Sequence, residues 1–284
     1  MIRKTQINTT RMDQYSPQGF RVLPTVVKHL LIINVLMFFA TIALQRYVDW
    51  ESLFALYFFK SEMFRPWQYI TYMFMHANVE HLFFNMFALW MFGYILENYW
   101  GSKRFLLFYI VCGLGAAFVH TCVTGFSYYG TASAISVYAQ DPNPDAFVTL
   151  FQSKFEGHYR VDVFNAFLSQ WRANPSEAIF AMQSVDMANQ MLQASASIPT
   201  VGASGAIYGI LLAFGMMFPN QYIYLYFLLP IKAKWFVVIY IAIELLSGVF
   251  GTADGVAHFA HLGGMLFGYI LIKYWKKREF QQWS

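Results

Sequence analysis

This 284-residue sequence is poor in charge: Asp, Glu, Lys and Arg together make up 12% of it. A typical soluble domain carries about 25%, so a water-facing surface of this length is excluded. Cysteine is nearly absent. Cys112 and Cys122 lie ten residues apart in one apolar run. On a helix that spacing is about 15 Å along the axis, too far for a disulfide. A disulfide scaffold is thereby excluded, and the redox compartment is not legible. There is no internal repeat, no low-complexity tract and no HExxH, and the histidines are too dispersed along the chain to suggest zinc ligands. No metal, nucleotide or other cofactor motif appears, so neither a cofactor nor a nucleic-acid partner is expected. What is present is apolar: 58% hydrophobic residues and 20% aromatic ones. Those numbers exclude disorder as well. The partner this composition calls for is a lipid bilayer.

A spanning helix needs about 20 apolar residues, because each adds about 1.5 Å across a core of about 30 Å. Six stretches qualify, at 29–46, 81–97, 104–124, 201–218, 234–251 and 256–275. An even number of spans returns both termini to one side, and basic residues choose that side. Thirteen of the nineteen lie in the termini and the even-numbered connections, among them Lys28, Lys103, Lys232 and Lys277. Both termini are therefore expected in the cytoplasm. The first 28 residues lack the short apolar core of a cleavable signal peptide, so the first span is expected to serve as the targeting signal.

The expected fold class is an all-α membrane protein with five parts. They are a cytoplasmic segment 1–28, spans one to three at 29–124, an extracytoplasmic helical insertion at 125–200, spans four to six at 201–275, and a cytoplasmic tail 276–284. Within the first part of the bundle, residues 47–80 are rich in aromatics but too interrupted to span, which suits a segment lying in the membrane interface. In the insertion, Phe147, Leu150, Phe151 and Phe155 form one helical stripe, and Phe164, Phe167, Leu168 and Trp171 a second. A third helix is expected to start at Asn174-Pro175, with Asn as N-cap and Glu177 in the first turn.

In a bilayer the informative residues are the polar ones that hydrocarbon should have excluded. Span two opens with His81 and Asn85, one turn apart on one face. Span four opens with Gly202-Ala-Ser204-Gly205, followed by Tyr208 and Gly209. Span six carries His258, His261, Gly264 and Gly268. Alternation of the spans puts all three sets in the extracytoplasmic half, where they can converge at one depth. A serine hydroxyl becomes a useful nucleophile when a base within about 3 Å takes its proton. Ser204 and a histidine of span six can form that pair if their helices nearly touch, and the Gly205/Gly209 and Gly264/Gly268 pairs permit such contact. The developing oxyanion then needs donors, which the Ser204 N–H, Asn85 and His81 can supply. Each feature alone has an ordinary reading: a membrane serine usually bonds its own i−4 carbonyl, and a glycine pair is usually a packing device. Their coincidence at one depth is what points to a site.

These motifs resemble a known family. HxxxN at 81–85, GxSG at 202–205 and HxxGxxxG at 261–268, on spans two, four and six, look like those of the rhomboid intramembrane serine proteases. The resemblance covers roughly 29–124 and 201–275. It implies a six-transmembrane-helix rhomboid-like bundle in which Ser204 is the nucleophile and His261 its general base. His81 and Asn85 match the oxyanion-stabilising pair. Gly202 and Tyr208 match flanking positions, the Tyr ring stacking on the base. Glu97 matches a structural acid at the inner end of span two, and Phe64-Arg65-Pro66-Trp67 resembles the Trp-Arg region of the interfacial loop in altered order. His258 shares a face with His261, but only His261 stands in register with Gly264 and Gly268.

The implied activity is cleavage of peptide bonds in or beside transmembrane helices of membrane-protein substrates, in a bacterial inner membrane. No acidic third member is evident, Asp254 being too near His261 in sequence, so a Ser-His dyad is expected. An inactive relative that binds transmembrane helices is the alternative. Glu244, near the middle of span five, raises a transport reading; its plainer reading is a carboxyl bonded to a neighbouring helix.

Overall fold

Helices occupy all six of the long apolar stretches in the computed structural model, which describes residues 21–225, 228–250 and 256–281. The chain runs α1 (Thr25–Leu44), α2 (Trp50–Phe54), α3 (Gln68–Thr71), α4 (Val79–Trp100), α5 (Ser102–Tyr138), α6 (Pro144–Lys154), α7 (Val161–Ala173), α8 (Ala178–Ala196) and α9 (Ser204–Met217). After the strands β1 (Tyr222–Leu225) and β2 (Leu229–Lys232) come α10 (Ala233–Phe250) and α11 (His258–Gln281). Among the described residues α1, α4, α5 and α10 are long and apolar enough to cross a membrane. With 14 residues, α9 is shorter, about 21 Å. In α11 two histidines and a lysine interrupt the apolar run. Most of segment 1–28, Asp254 and residues 282–284 lie outside the described residues.

The sequence supplies local reasons for the helix ends that bear on the site. Asn78 caps α4 by accepting the His81 N–H at 2.7 Å, with Glu80 in the first turn to complement the helix dipole. Gly101, at φ +80°, makes the sharp turn from α4 into α5. Buried Glu97 accepts the N–H groups of Val26 and Val27 at 2.9 and 2.8 Å, and the Ser102 hydroxyl at 2.5 Å. It thereby satisfies donors that the start of α1 would otherwise leave unpaired.

The centre of the bundle is α9, whose residues from Gly205 to Gly215 are nearly all buried. It is surrounded by α4, α5, α10 and α11, and its core partners include Leu89, Phe92, Phe108, Cys112 and Met265. The outer faces are apolar and exposed, for example Leu36 and Phe39 of α1, Phe84 of α4, Leu107 of α5 and Leu246 of α10. Apolar surface on that scale needs a covering, and lipid supplies it.

Three expectations need correction. The chain is not wholly helical: β1 and β2 pair antiparallel, with Tyr222 opposite Lys232 and Ile223 opposite Ile231. The alternating Tyr-Ile-Tyr-Leu suits a strand; in the sequence, 219–233 reads as a plain connection between spans four and five. Next, α5 continues past residue 124 to Tyr138 as one 37-residue helix. It is about 55 Å long. No proline interrupts this segment, and isolated glycines at 125 and 130 are tolerated. Finally, α8 starts at Ala178 rather than at Asn174-Pro175. Asn174 is engaged in closing α7, its N–H and its Nδ2 both donating to the Gln170 carbonyl at 3.2 and 3.1 Å.

The far end of α5 joins α6–α8 in a second apolar core. Phe147, Leu150, Phe151, Phe155, Phe164, Leu168 and Trp171 are buried there with Ile135 and Tyr138 of α5 and Leu192 of α8. Phe147 stacks on Phe164 at 5.1 Å. The two stripes are buried on each other and on the extension of α5. Residues 47–80 fold as turns and short helices against the chain that leads into α9. Leu56 and Thr200 exchange both backbone hydrogen bonds at 2.9 Å, the Gly202 N–H donates to the Tyr72 carbonyl at 2.9 Å, and the Ser61 and Ser197 hydroxyls lie 2.9 Å apart.

Candidate active site

Ser204 is the first residue of α9 and His261 belongs to the first turn of α11. Their side chains meet, with Ser204 Oγ 2.8 Å from His261 Nε2. The approach depends on missing side chains. A methyl group on Gly264 would overlap the Gly205 carbonyl oxygen, and one on Gly209 would lie 3.0 Å from the Gly264 oxygen. With four-residue glycine spacing on both helices, the backbones touch and bring base and hydroxyl together.

His261 is held on its flat side as well. The Tyr208 ring stacks on it at 4.1 Å and 6°. Tyr208 lies one turn beyond Ser204 on α9, so the helix that carries the hydroxyl also fixes the plane of the imidazole.

Gly202 has φ +124°, a conformation that glycine adopts without strain. A Cβ at this position would also fall 2.7 Å from the His81 ring and 3.5 Å from Ser204 Oγ. Gly202 therefore keeps open the space between the imidazole of α4 and the hydroxyl of α9. The Ala77 N–H donates to His81 Nδ1 at 3.4 Å, which leaves the proton on Nε2, the nitrogen beside that space. Asn85, one turn along α4, is 6% exposed, and its Nδ2 has no hydrogen-bond partner. A buried amide donor without an acceptor costs stability, and it is available to a negative oxygen. Ser204 begins a helix, where backbone N–H groups lack intrahelical acceptors. The six residues singled out from the sequence, Ser204, His261, His81, Asn85, Gly202 and Tyr208, thus lie on the facing ends of α4, α9 and α11.

Two further residues adjoin the site, of which the sequence points only to Glu244, and not as part of it. His76, in the turn before α4, packs its ring edge-on to His81 at 5.1 Å. Burial, reinforced by the His81 ring, holds its pKa down at about 3, so it is neutral. Glu244 of α10 is 4% exposed, and its Oε2 lies 2.7 Å from His258 Nδ1 and 3.0 Å from His261 Nδ1. The plain reading of Glu244, a carboxyl bonded to a neighbouring helix, matches that contact; the sequence did not reveal that the neighbour includes His261. The available signal was a carboxylate in the middle of an apolar span, which must find donors to be tolerated there.

Known proteins resemble this chain in part. A family model described as Rhomboid domain matches residues 63–139 and 173–278, leaving 140–172 between the matched stretches. Rhomboid protease GluP of Bacillus subtilis is 33% identical over 69 residues, 24% of this chain and 14% of that protein. Rhomboid protease GlpG of Haemophilus influenzae is 28% identical over 69 residues, 24% of this chain and 36% of that one. Rhomboid protease GlpG of Salmonella choleraesuis is 32% identical over 76 residues, 27% of each chain. The aligned stretches span well under half the length of these relatives.

Proposed function

This chain belongs to the rhomboid family, and on that premise we propose that it is an intramembrane serine endopeptidase acting on transmembrane-helix proteins. The observation that carries the reading is the 2.8 Å contact between Ser204 Oγ and His261 Nε2. In the proposed reaction His261 takes the Ser204 proton as Oγ bonds to the scissile carbonyl carbon. The carbonyl oxygen gains the negative charge, facing the Ser204 N–H, Asn85 Nδ2 and His81 Nε2. As the tetrahedral species collapses, the C–N bond breaks and His261 returns the proton to the departing amine. A water activated by the same imidazole then releases the acyl group and restores the serine. A substrate helix must first unwind, because its peptide groups are fully hydrogen-bonded in lipid.

The remaining architecture follows from this reading. Ser204–Met217 and α11 complete a six-helix bundle with α1, α4, α5 and α10, both termini in the cytoplasm of a bacterial cell. The active site opens on the opposite side, together with the helical insertion between α5 and α9. A groove of about 630 Å³ whose lining does not include Ser204 runs between the interfacial loop (Ser52, Glu62, Arg65) and the end of α8 (Gln193, Ala194) with the following Ser197. In this arrangement it is a passage for the extracytoplasmic part of a substrate.

The test is active-site labelling of the full chain in detergent with a fluorophosphonate, together with cleavage of a model transmembrane substrate. Wild type labels at Ser204 and cleaves, whereas Ser204→Ala and His261→Ala do neither while retaining helicity and membrane insertion. Wild-type turnover by Ser204→Ala would end the serine-protease reading.

A further inference from the structure

Glu244 is the carboxylate of an otherwise apolar helix, 4% exposed and facing the bundle interior. A buried carboxylate is tolerated only when donors surround it. Here two groups converge on it from α11: His258 Nδ1 lies 2.7 Å from Oε2, and His261 Nδ1 approaches Oε2 to 3.0 Å. One of them is the proposed base itself.

We infer that Glu244 is the positioning residue for the general base, completing a Ser204–His261–Glu244 triad on three different helices. This rests on the protease reading above. When Nε2 of His261 accepts the Ser204 proton, Nδ1 must already carry one, and the nearest acceptor for that N–H is Glu244. The proton moves only from Ser204 Oγ to His261 Nε2; the Nδ1 proton stays on the ring, and Glu244 stays ionised. An imidazolium formed in a buried site is costly without a counter-charge, and the carboxylate supplies that charge in place. The axis of the His261 N–H misses Oε2, leaving Nδ1 without an aligned hydrogen bond, while His258 is well aligned. The distance carries more weight than the angle, since catalytic hydrogen bonds are often poorly aligned before substrate binds and tighten in the complex. A small turn of the ring, in the plane against which Tyr208 stacks, aligns it.

Two other assignments use the same atoms. One is a purely structural tie from α10 to His258. The other is a metal site, because the ligand atoms of Glu244, His258 and His261 all lie within 4.8 Å of one another. The experiment measures kcat and KM per labelled active site for Glu244→Gln, Glu244→Asp and His258→Ala in the full chain, with thermal unfolding alongside. Glu244→Gln is expected to lower kcat about 10²-fold with KM changed less than about twofold, and Glu244→Asp to recover part of that loss. His258→Ala is expected to lose less than about tenfold, because it leaves the carboxylate facing His261. Wild-type kcat in Glu244→Gln would overturn the triad. So would a loss that merely follows the unfolded fraction, or one matched in full by His258→Ala. Loss of wild-type activity in a chelator, with recovery on adding zinc, would overturn it in favour of a metal ligand. Failure of wild type to label at Ser204 is a separate result, and it would remove the protease reading itself.

Discussion

Gly264 of α11 rests against the Gly205 carbonyl of α9 with no room for a methyl group between them. The 2.8 Å separation of Ser204 and His261 is a consequence of that contact, because each glycine is one turn or less from a reacting residue. On the proposed reading, catalytic geometry is a property of two touching backbones.

Gly264→Ala tests this directly. The added methyl must push α9 and α11 apart, and a misplacement of about 1 Å costs about 10²-fold in rate. Overpacking also destabilises by about 1–3 kcal/mol. The expected outcome is turnover down about 10²-fold with a lowered Tm, measured on a model transmembrane substrate and by thermal unfolding. Undiminished turnover would separate the glycine contact from catalysis.

Asn85→Ala removes a buried donor that lacks a partner and that, in the proposed reaction, finds its charged partner only as the oxyanion forms. Turnover should fall by about 10²-fold in kcat while KM holds steady. Steady-state kinetics decide it: a change confined to KM would make Asn85 a substrate-positioning group.

The insertion should influence which substrates are cut rather than whether cutting occurs. Its titratable residues form no nucleophile–base pair, and its apolar core is separate from that of the bundle. Replacing 130–195 with a Gly/Ser linker should leave fluorophosphonate labelling of Ser204 intact and change the ratio of kcat/KM for two unrelated substrates. An unchanged ratio with intact labelling would reduce the insertion to decoration.

His76 gives a pH dependence with a definite sign. An unperturbed histidine titrates near 6.5, and burial lowers His76 to about 3. Between those values the unfolded chain binds a proton that the folded chain refuses, so stability falls as pH drops through the window. His76→Phe removes that term. Its Tm should fall less than that of wild type between about pH 7 and about pH 4.5. Parallel curves would show that His76 takes up its proton without unfolding.

Much of this was legible in the sequence because a bilayer makes polar residues conspicuous. Ser204, His261, His81 and Asn85 stood out among aliphatic neighbours, and glycine spacing indicated which helices touch. Glu244 stood out equally, but its partner was set by the rotation of α10 about its own axis, which an almost uniformly apolar helix does not encode. The hairpin at 222–232 was missed because so short a stretch between two spans read only as a connection, and a four-residue strand carries too few alternations to announce itself. The stripes of α6 and α7 were readable because water faces their other side. The start of α8 was misplaced because Asn174 has two competing uses, and closing α7 won.

The backbone ties from Leu56 to Thr200 and from Tyr72 to Gly202 have a consequence for dynamics. The amides just ahead of the nucleophile are protected by the interfacial loop and not by any helix. In hydrogen–deuterium exchange, Thr200 and Gly202 should therefore open with residues 47–80 as one cooperative unit, at a lower free energy than α9 only a few residues away. Whatever loosens that loop, whether lipid, detergent or an arriving substrate, would reach Ser204 along the chain before any helix of the bundle has moved.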